Sequence, residues 1–179
     1  MALGATIYTF DIALANLDRD MTQTLDLRVA RHPSESPEHF LTRVLAYCFE
    51  FEEGIAFSNG LFEPDQPTIA IHDLTGALRV WIDVGTPEPA RLHKASKAAA
   101  RVAVYTHKEP GAWMARLAAE RIHRRETLEL HAIDRDWLAT LVGKLERRMS
   151  FSLTISEGYV YLSIGDETLA SVISKLQFP

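Results

Sequence analysis

LFEPDQPTIAIHDLTGALRVWIDVGTPEPARLHKASKAAARVAVYT, from Leu61 to Thr106, decides how this chain folds. Leu78, Val80, Trp81, Ile82 and Val84 make a nearly continuous apolar run, which suits a strand buried on both faces. Asp83 interrupts it. Gly85-Thr-Pro-Glu-Pro closes the strand and opens a helix expected to run through Ala100. Val102-Ala-Val-Tyr then reads as a second buried strand. Strand, helix, strand in this order makes a crossover between parallel strands the default. Upstream, Pro64-Asp-Gln-Pro enters a strand with Ile69 and Ile71, and Leu74-Thr-Gly turns the chain.

Outward from this centre the patterning is antiparallel. Tyr8, Phe10, Ile12 and Leu14 alternate with polar positions, as do Leu25, Leu27 and Val29, so residues 6–29 read as a hairpin. Ser36 is placed as the N-cap of a helix with Pro37 at its first position. Leu41, Val44, Leu45 and Cys48 repeat along it at helical spacing. A helical pattern spans Pro110 to His123. Leu128, Leu130 and Ala132 form a short strand, and Asp134 caps a helix with Trp137, Leu138, Leu141 and Leu145. Residues 151–155 and 160–164 alternate around Ser156-Glu-Gly as a second hairpin. The tail from Thr168 to Leu176 reads as a strand, with a short helix as the alternative. The expected fold is α/β, with a mixed sheet, a parallel βαβ centre, antiparallel hairpins and flanking helices, in one domain over 1–179.

The 179 residues can bury a real core, and 47% hydrophobic with 24% charged is ordinary globular composition. A formal charge of -5 excludes a polycationic binder but leaves room for a local basic face. One cysteine permits no intramolecular disulfide. No signal peptide or membrane-spanning run is read, so the cytosol is the expected setting.

Asp83 is the first candidate for chemistry. A carboxylate in a strand of Val, Ile and Trp costs several kcal/mol to bury charged unless a metal, a base or a proton compensates, in the range of ~2–7 kcal/mol for polar groups generally. Bonding to loop amides at the strand's end is the equally weighted alternative. Asp65 gains interest beside it, because neighbouring strands can bring two carboxylates within reach of one hard cation. Asp73 competes for that role or serves its own turn. Lys94 and Lys97 follow on the helix, where an ammonium could steady a developing phosphate charge; for Lys97 a solvated face is preferred. Glu38 could add a metal oxygen or simply complement its helix dipole. The seven histidines have no zinc-like spacing, and Cys48 sits in a core stripe. There is no nucleophile elbow and no phosphate-cradling glycine loop. The basic run from Arg116 to Arg125 could touch phosphates, although a solvated helix face is the commoner explanation.

At Arg31-His-Pro-Ser-Glu, Gly60-Leu-x-x-Pro-Asp-Gln-Pro, Leu78-x-Val-Trp-Ile-Asp-Val-Gly-x-Pro and Arg91-x-x-Lys-Ala-Ser, the chain resembles the YaeQ family of bacterial proteins. That family looks like a member of the restriction-endonuclease-like, or PD-(D/E)XK, superfold. The resemblance implies a Mg2+ site, with Mn2+ as a substitute, held by Asp65, Asp83, the Val84 carbonyl and Glu38. It implies a nuclease-like action on nucleic-acid phosphodiesters. The pattern's lysine position is Gly85 here, and Lys94 could supply the ammonium from the next helix. The alternative is an inactive member that binds nucleic acid or a protein partner. A small-molecule enzyme is a remote third option, and no membrane partner is expected.

Overall fold

The computed structural model describes residues 4–59 and 63–178. Leu61 and Phe62 of the central stretch, and Gly60 of the second motif, lie outside them. Among the described residues the elements are β1 (Thr6–Asn16), β2 (Met21–Arg31), α1 (Pro37–Phe49), β3 (Ile55–Phe57), β4 (Ile69–His72), β5 (Leu78–Val84), α2 (Pro89–Ala98), β6 (Arg101–Thr106), α3 (Gly111–Ala119), β7 (Glu129–Ile133), α4 (Arg135–Val142), β8 (Arg148–Ser156), β9 (Tyr159–Ile164) and β10 (Glu167–Leu176). The ten strands form one mixed sheet in the order β2-β1-β8-β9-β10-β7-β6-β5-β4-β3.

The alternation read from the sequence is the alternation of burial. In the β1–β2 hairpin Tyr8, Phe10 and Ile12 lie opposite Val29, Leu27 and Leu25, all buried on one face. β5 and β6 run parallel, with α2 as the crossover, and β6 and β7 are also parallel. The tail is a strand. Its first part pairs with β9 and its last four residues, Ile173 to Leu176, pair with β7. That one strand joins the C-terminal hairpin to the parallel triplet.

Four points of this reading need correcting. The parallel pairs are not all gathered at a centre, because β1 also runs parallel to β8. The short edge strand β3 was not foreseen; three residues carry too little periodicity to read. The helix expected to reach His123 ends at Ala119, with Glu120 already extended. Residues 121–124 fold back onto α2 instead. The helix after β5 stops at Ala98, two residues early.

The pleat of β5 serves two cores. Val80, Ile82 and Val84 join the larger cluster under α1, while Trp81 joins Leu92, Ala95 and Leu117 between α2 and α3. Asp83 shares a face with Trp81, the face that α2 covers. At the far end of α1, Gly54 takes a positive φ of 93°, and a Cβ there would lie 2.3 Å from the His72 carbonyl oxygen. Only glycine lets the exit from α1 pass so close to β4. No helix among the described residues is long and apolar enough to cross a membrane.

Candidate functional site

The C-terminal ends of β5 and β6, the loop at residues 63–68 and the first turns of α1 and α2 enclose a cavity of about 430 Å³. Its lining includes His39, Thr68, Asp83, Gly85, Arg91, His107 and Lys108.

Asp83 lies here with its side chain 2% exposed. Its compensation is Arg91, on the first turn of α2. Nε donates to Oδ2 at 2.7 Å and Nη2 to Oδ1 at 2.9 Å, a bidentate pair. The Thr68 backbone N–H and hydroxyl both donate to Oδ1 at 3.2 Å. The Arg91 guanidinium lies 5.2 Å from the Trp81 ring centroid. It also donates to the carbonyls of Glu63 at 3.0 Å and Gln66 at 2.8 Å. One side chain thus ties the strand end, the helix and the loop together. A base is thus the compensating group among the metal, base or proton that the buried acid requires, a loop amide from Thr68 contributes as well, and the sequence alone does not single out Arg91 as that base.

Asp65 is elsewhere in its bonding. Its side chain is 76% exposed and pairs with Lys94, itself 51% exposed. Lys94 therefore faces Asp65 and not Asp83. Arg91 and Lys94 are three residues apart, so both acids land on one face of α2, each with its own cation. Glu38 stands in the first turn of α1, where its charge acts on His107. Val84 is buried at the strand end, opposite Tyr105. Asp73 serves its turn: Oδ1 accepts from the Thr75 and Ala77 backbone N–H groups.

Gly85, where the superfold pattern wants lysine, has φ 94°, a conformation that L side chains rarely adopt. A Cβ there would lie 3.9 Å from His107 Nε2 and 3.9 Å from His39 Cδ2. The backbone bends the position toward the two histidines.

Those histidines are the part of the site that went unread. Glu35, just before α1, is buried and takes His39 Nδ1 at 2.6 Å and a bidentate pair from Arg43 at 3.0 and 2.9 Å. Burial pushes the Glu35 carboxyl up, and the hydrogen bonds from His39 and Arg43 more than reverse it, leaving it below its ordinary value. The rings of His39 and His107 are perpendicular, 5.8 Å apart. Burial, then the charges of His39 and Lys108, lower His107 to about 4. Its Nε2 is buried with no hydrogen-bond partner among the described residues. Glu35 and Arg91 both stood inside the motifs that carry the resemblance, so a signal existed. Histidines on different elements offered none.

A magnesium site needs free carboxylate lone pairs converging on one point. Here Asp83 spends both oxygens on Arg91 and Thr68, and Asp65 is engaged by Lys94. The described residues contain no group of three or more His, Cys, Asp or Glu arranged for a metal ion. As placed, this donor set does not fit the ion.

Comparison with known proteins identifies the lineage. The family model described as YaeQ protein matches residues 1–173, and the chain belongs to the YaeQ family. The "Uncharacterized protein YaeQ" of Escherichia coli (strain K12) is 31% identical over 181 residues, covering 100% of this chain and 99% of that protein. Its Salmonella typhi counterpart is 30% identical over the same span. The crystal structure of YaeQ protein from Pseudomonas syringae superposes with a TM-score of 0.88 at 27% identity, over 97% of this chain and 96% of that one. The crystal structure of YaeQ protein from Xanthomonas axonopodis pv. citri gives 0.87 at 26%, over 98% and 99%.

Proposed function

We propose that this YaeQ-family chain binds the phosphate backbone of a nucleic acid across the β5–β6 cleft, without a metal at Asp83. One observation carries the reading: the strand acid that a catalytic metal would need is already neutralised by Arg91. Besides the acid Glu63 on the loop at residues 63–68, the cleft offers a ligand cationic or neutral groups, namely Lys108, His39, His107, Thr68 and Thr86. The charge distribution supports a polyanion. Residues 89–125 hold nine of the chain's 19 Lys and Arg against two acids, Glu109 and Glu120, although the whole chain is at -5.

The test is fluorescence anisotropy with single-stranded and duplex DNA and RNA, with and without Mg2+. Binding that weakens with salt, persists in EDTA and falls in Lys108→Ala supports the reading. Magnesium-dependent cleavage that disappears in Asp83→Asn defeats it.

A second reading rests on a different observation. Arg91 and Lys94 hold Asp83 and Asp65 against the same face of α2. Were Arg91 to leave, Asp65, Asp83, the Val84 carbonyl and Glu38 would be the set available to Mg2+ or Mn2+, and the chain would belong with the PD-(D/E)XK nucleases. Calorimetric titration of Mg2+ into wild type, Arg91→Ala and Asp65→Asn separates the two. Heat that grows in Arg91→Ala and vanishes in Asp65→Asn favours the nuclease.

A further inference from the structure

We propose that the concave surface between α2 and residues 121–124 is a second phosphate-binding site, formed by Lys97, Arg121, His93 and His123. It rests on the preceding reading only in the kind of anion, since its residues lie outside the β5–β6 cleft.

The cavity, about 560 Å³, is lined by His93, Lys97, Arg121, Ile122, His123 and Arg124, with no acidic residue among them. The cations nearby on the same helices are spoken for: Lys94 pairs with Asp65 and Arg116 with Glu88. Lys97 and Arg121 are exposed and have no ion pair among the described residues. Two unpaired cations across a hollow from two imidazoles repel one another. A dianion placed between them removes that repulsion.

The hollow is also held in shape. Arg124 takes φ 50° and ψ 42°, a left-handed conformation uncommon for a residue with a side chain. Its guanidinium donates to the carbonyls of Ser96 at 2.7 Å and Ala99 at 3.0 Å, at the end of α2. That contact neutralises the negative pole of the helix beside the cavity. Ile122 is buried in the second core and pins the loop from below. The His123 backbone N–H donates to His93 Nδ1 at 3.0 Å. Nδ1 is therefore the acceptor, and the proton of the neutral ring sits on Nε2, ready to be donated. The two rings lie 6.4 Å apart and nearly perpendicular. Desolvation first, then the charges of Lys97, His123 and Arg121, hold His93 below its ordinary pKa, so the nearby cations account for part of the shift.

The experiment follows the ring C–H signals of all seven histidines in the full chain by heteronuclear NMR. Probes are inorganic phosphate, a 5′-phosphorylated single-stranded DNA oligonucleotide and the same strand with a 5′-hydroxyl. The expected result is a saturable shift of His93 and His123, with Lys97→Ala and Arg121→Ala each weakening it roughly tenfold, the size of one lost charge-assisted hydrogen bond. Response to both strands marks backbone phosphate as the source, response to the phosphorylated strand alone a terminal phosphate, and response to inorganic phosphate alone a free anion. No saturable shift with any probe, or shifts that the substitutions leave unchanged, overturns the site. Both substituted side chains are exposed, so an unaltered thermal melt is the folding control. A strand that moves His39 and His107 while no probe moves His93 sinks this site and leaves the β5–β6 reading standing; a strand that moves His93 but not His39 and His107 sinks that reading alone.

Discussion

Replacing Arg91 by Ala should destabilise the chain more than any other single change at the cleft. The Asp83 side chain is 2% exposed, and two of its contacts, at 2.7 and 2.9 Å, come from this guanidinium. Arg91→Ala leaves a buried carboxylate with Thr68 alone, through two bonds of 3.2 Å. Removing one member of a buried ion pair costs about 3–5 kcal/mol. Loss of the contact with Trp81 adds about 0.5–1 kcal/mol. The carbonyls of Glu63 and Gln66 can turn to water and add little. A loss near 4 kcal/mol corresponds to a fall in Tm of roughly 10 °C for a chain of this length. Asp83→Ala should cost less, because Arg91 is 24% exposed and can be rehydrated. The double variant Arg91→Ala/Asp83→Ala should be more stable than Arg91→Ala, since no orphaned charge remains. Urea and thermal melts of the four proteins give the cycle. A cost below about 1 kcal/mol for Arg91→Ala, well under that of a broken buried pair, refutes the reasoning, and so does rescue of that variant by Mg2+ alone.

Further outcomes are expected. Gly54→Ala should cost several times more than Gly76→Ala in a denaturant titration. Both have positive φ, but only at Gly54 does the new Cβ collide with a backbone carbonyl, at 2.3 Å. Stability should begin to fall on acidification below pH 6.5 and keep falling to about 4. Through that window His107, lowered to about 4 by burial, stays neutral when folded while the unfolded chain takes up a proton. His107→Gln should flatten that part of the curve. Below about pH 4.5 a second loss follows as Glu35 and Glu50, both held below their ordinary value when folded, are protonated. Cys48 should resist thiol reagents at pH 8 in the native chain and react only on unfolding, since burial pushes its thiol up to about 12.

Much of this structure is legible in local pattern. Alternation in residues 6–14 and 25–29, the run of β5, the Ser36 cap that accepts the His39 N–H and the Asp134 cap that accepts the Trp137 N–H are properties of short segments. Each reports which face of an element is buried, or how a helix begins, and needs no knowledge of neighbours. Membership of the YaeQ family was equally legible, because motifs are local too. Periodicity does not say which strand lies next to which. The parallel pairing of β1 with β8 joins segments far apart in the chain, and the division of β10 between β9 and β7 depends on where two sheet halves meet. The partner of Asp83 was undecidable for the same reason. A bidentate ion pair requires contacts within about 3 Å. Arg91 and Lys94 are one helical turn apart, and only the seating of α2 over the end of β5 gives the first to Asp83 and the second to Asp65.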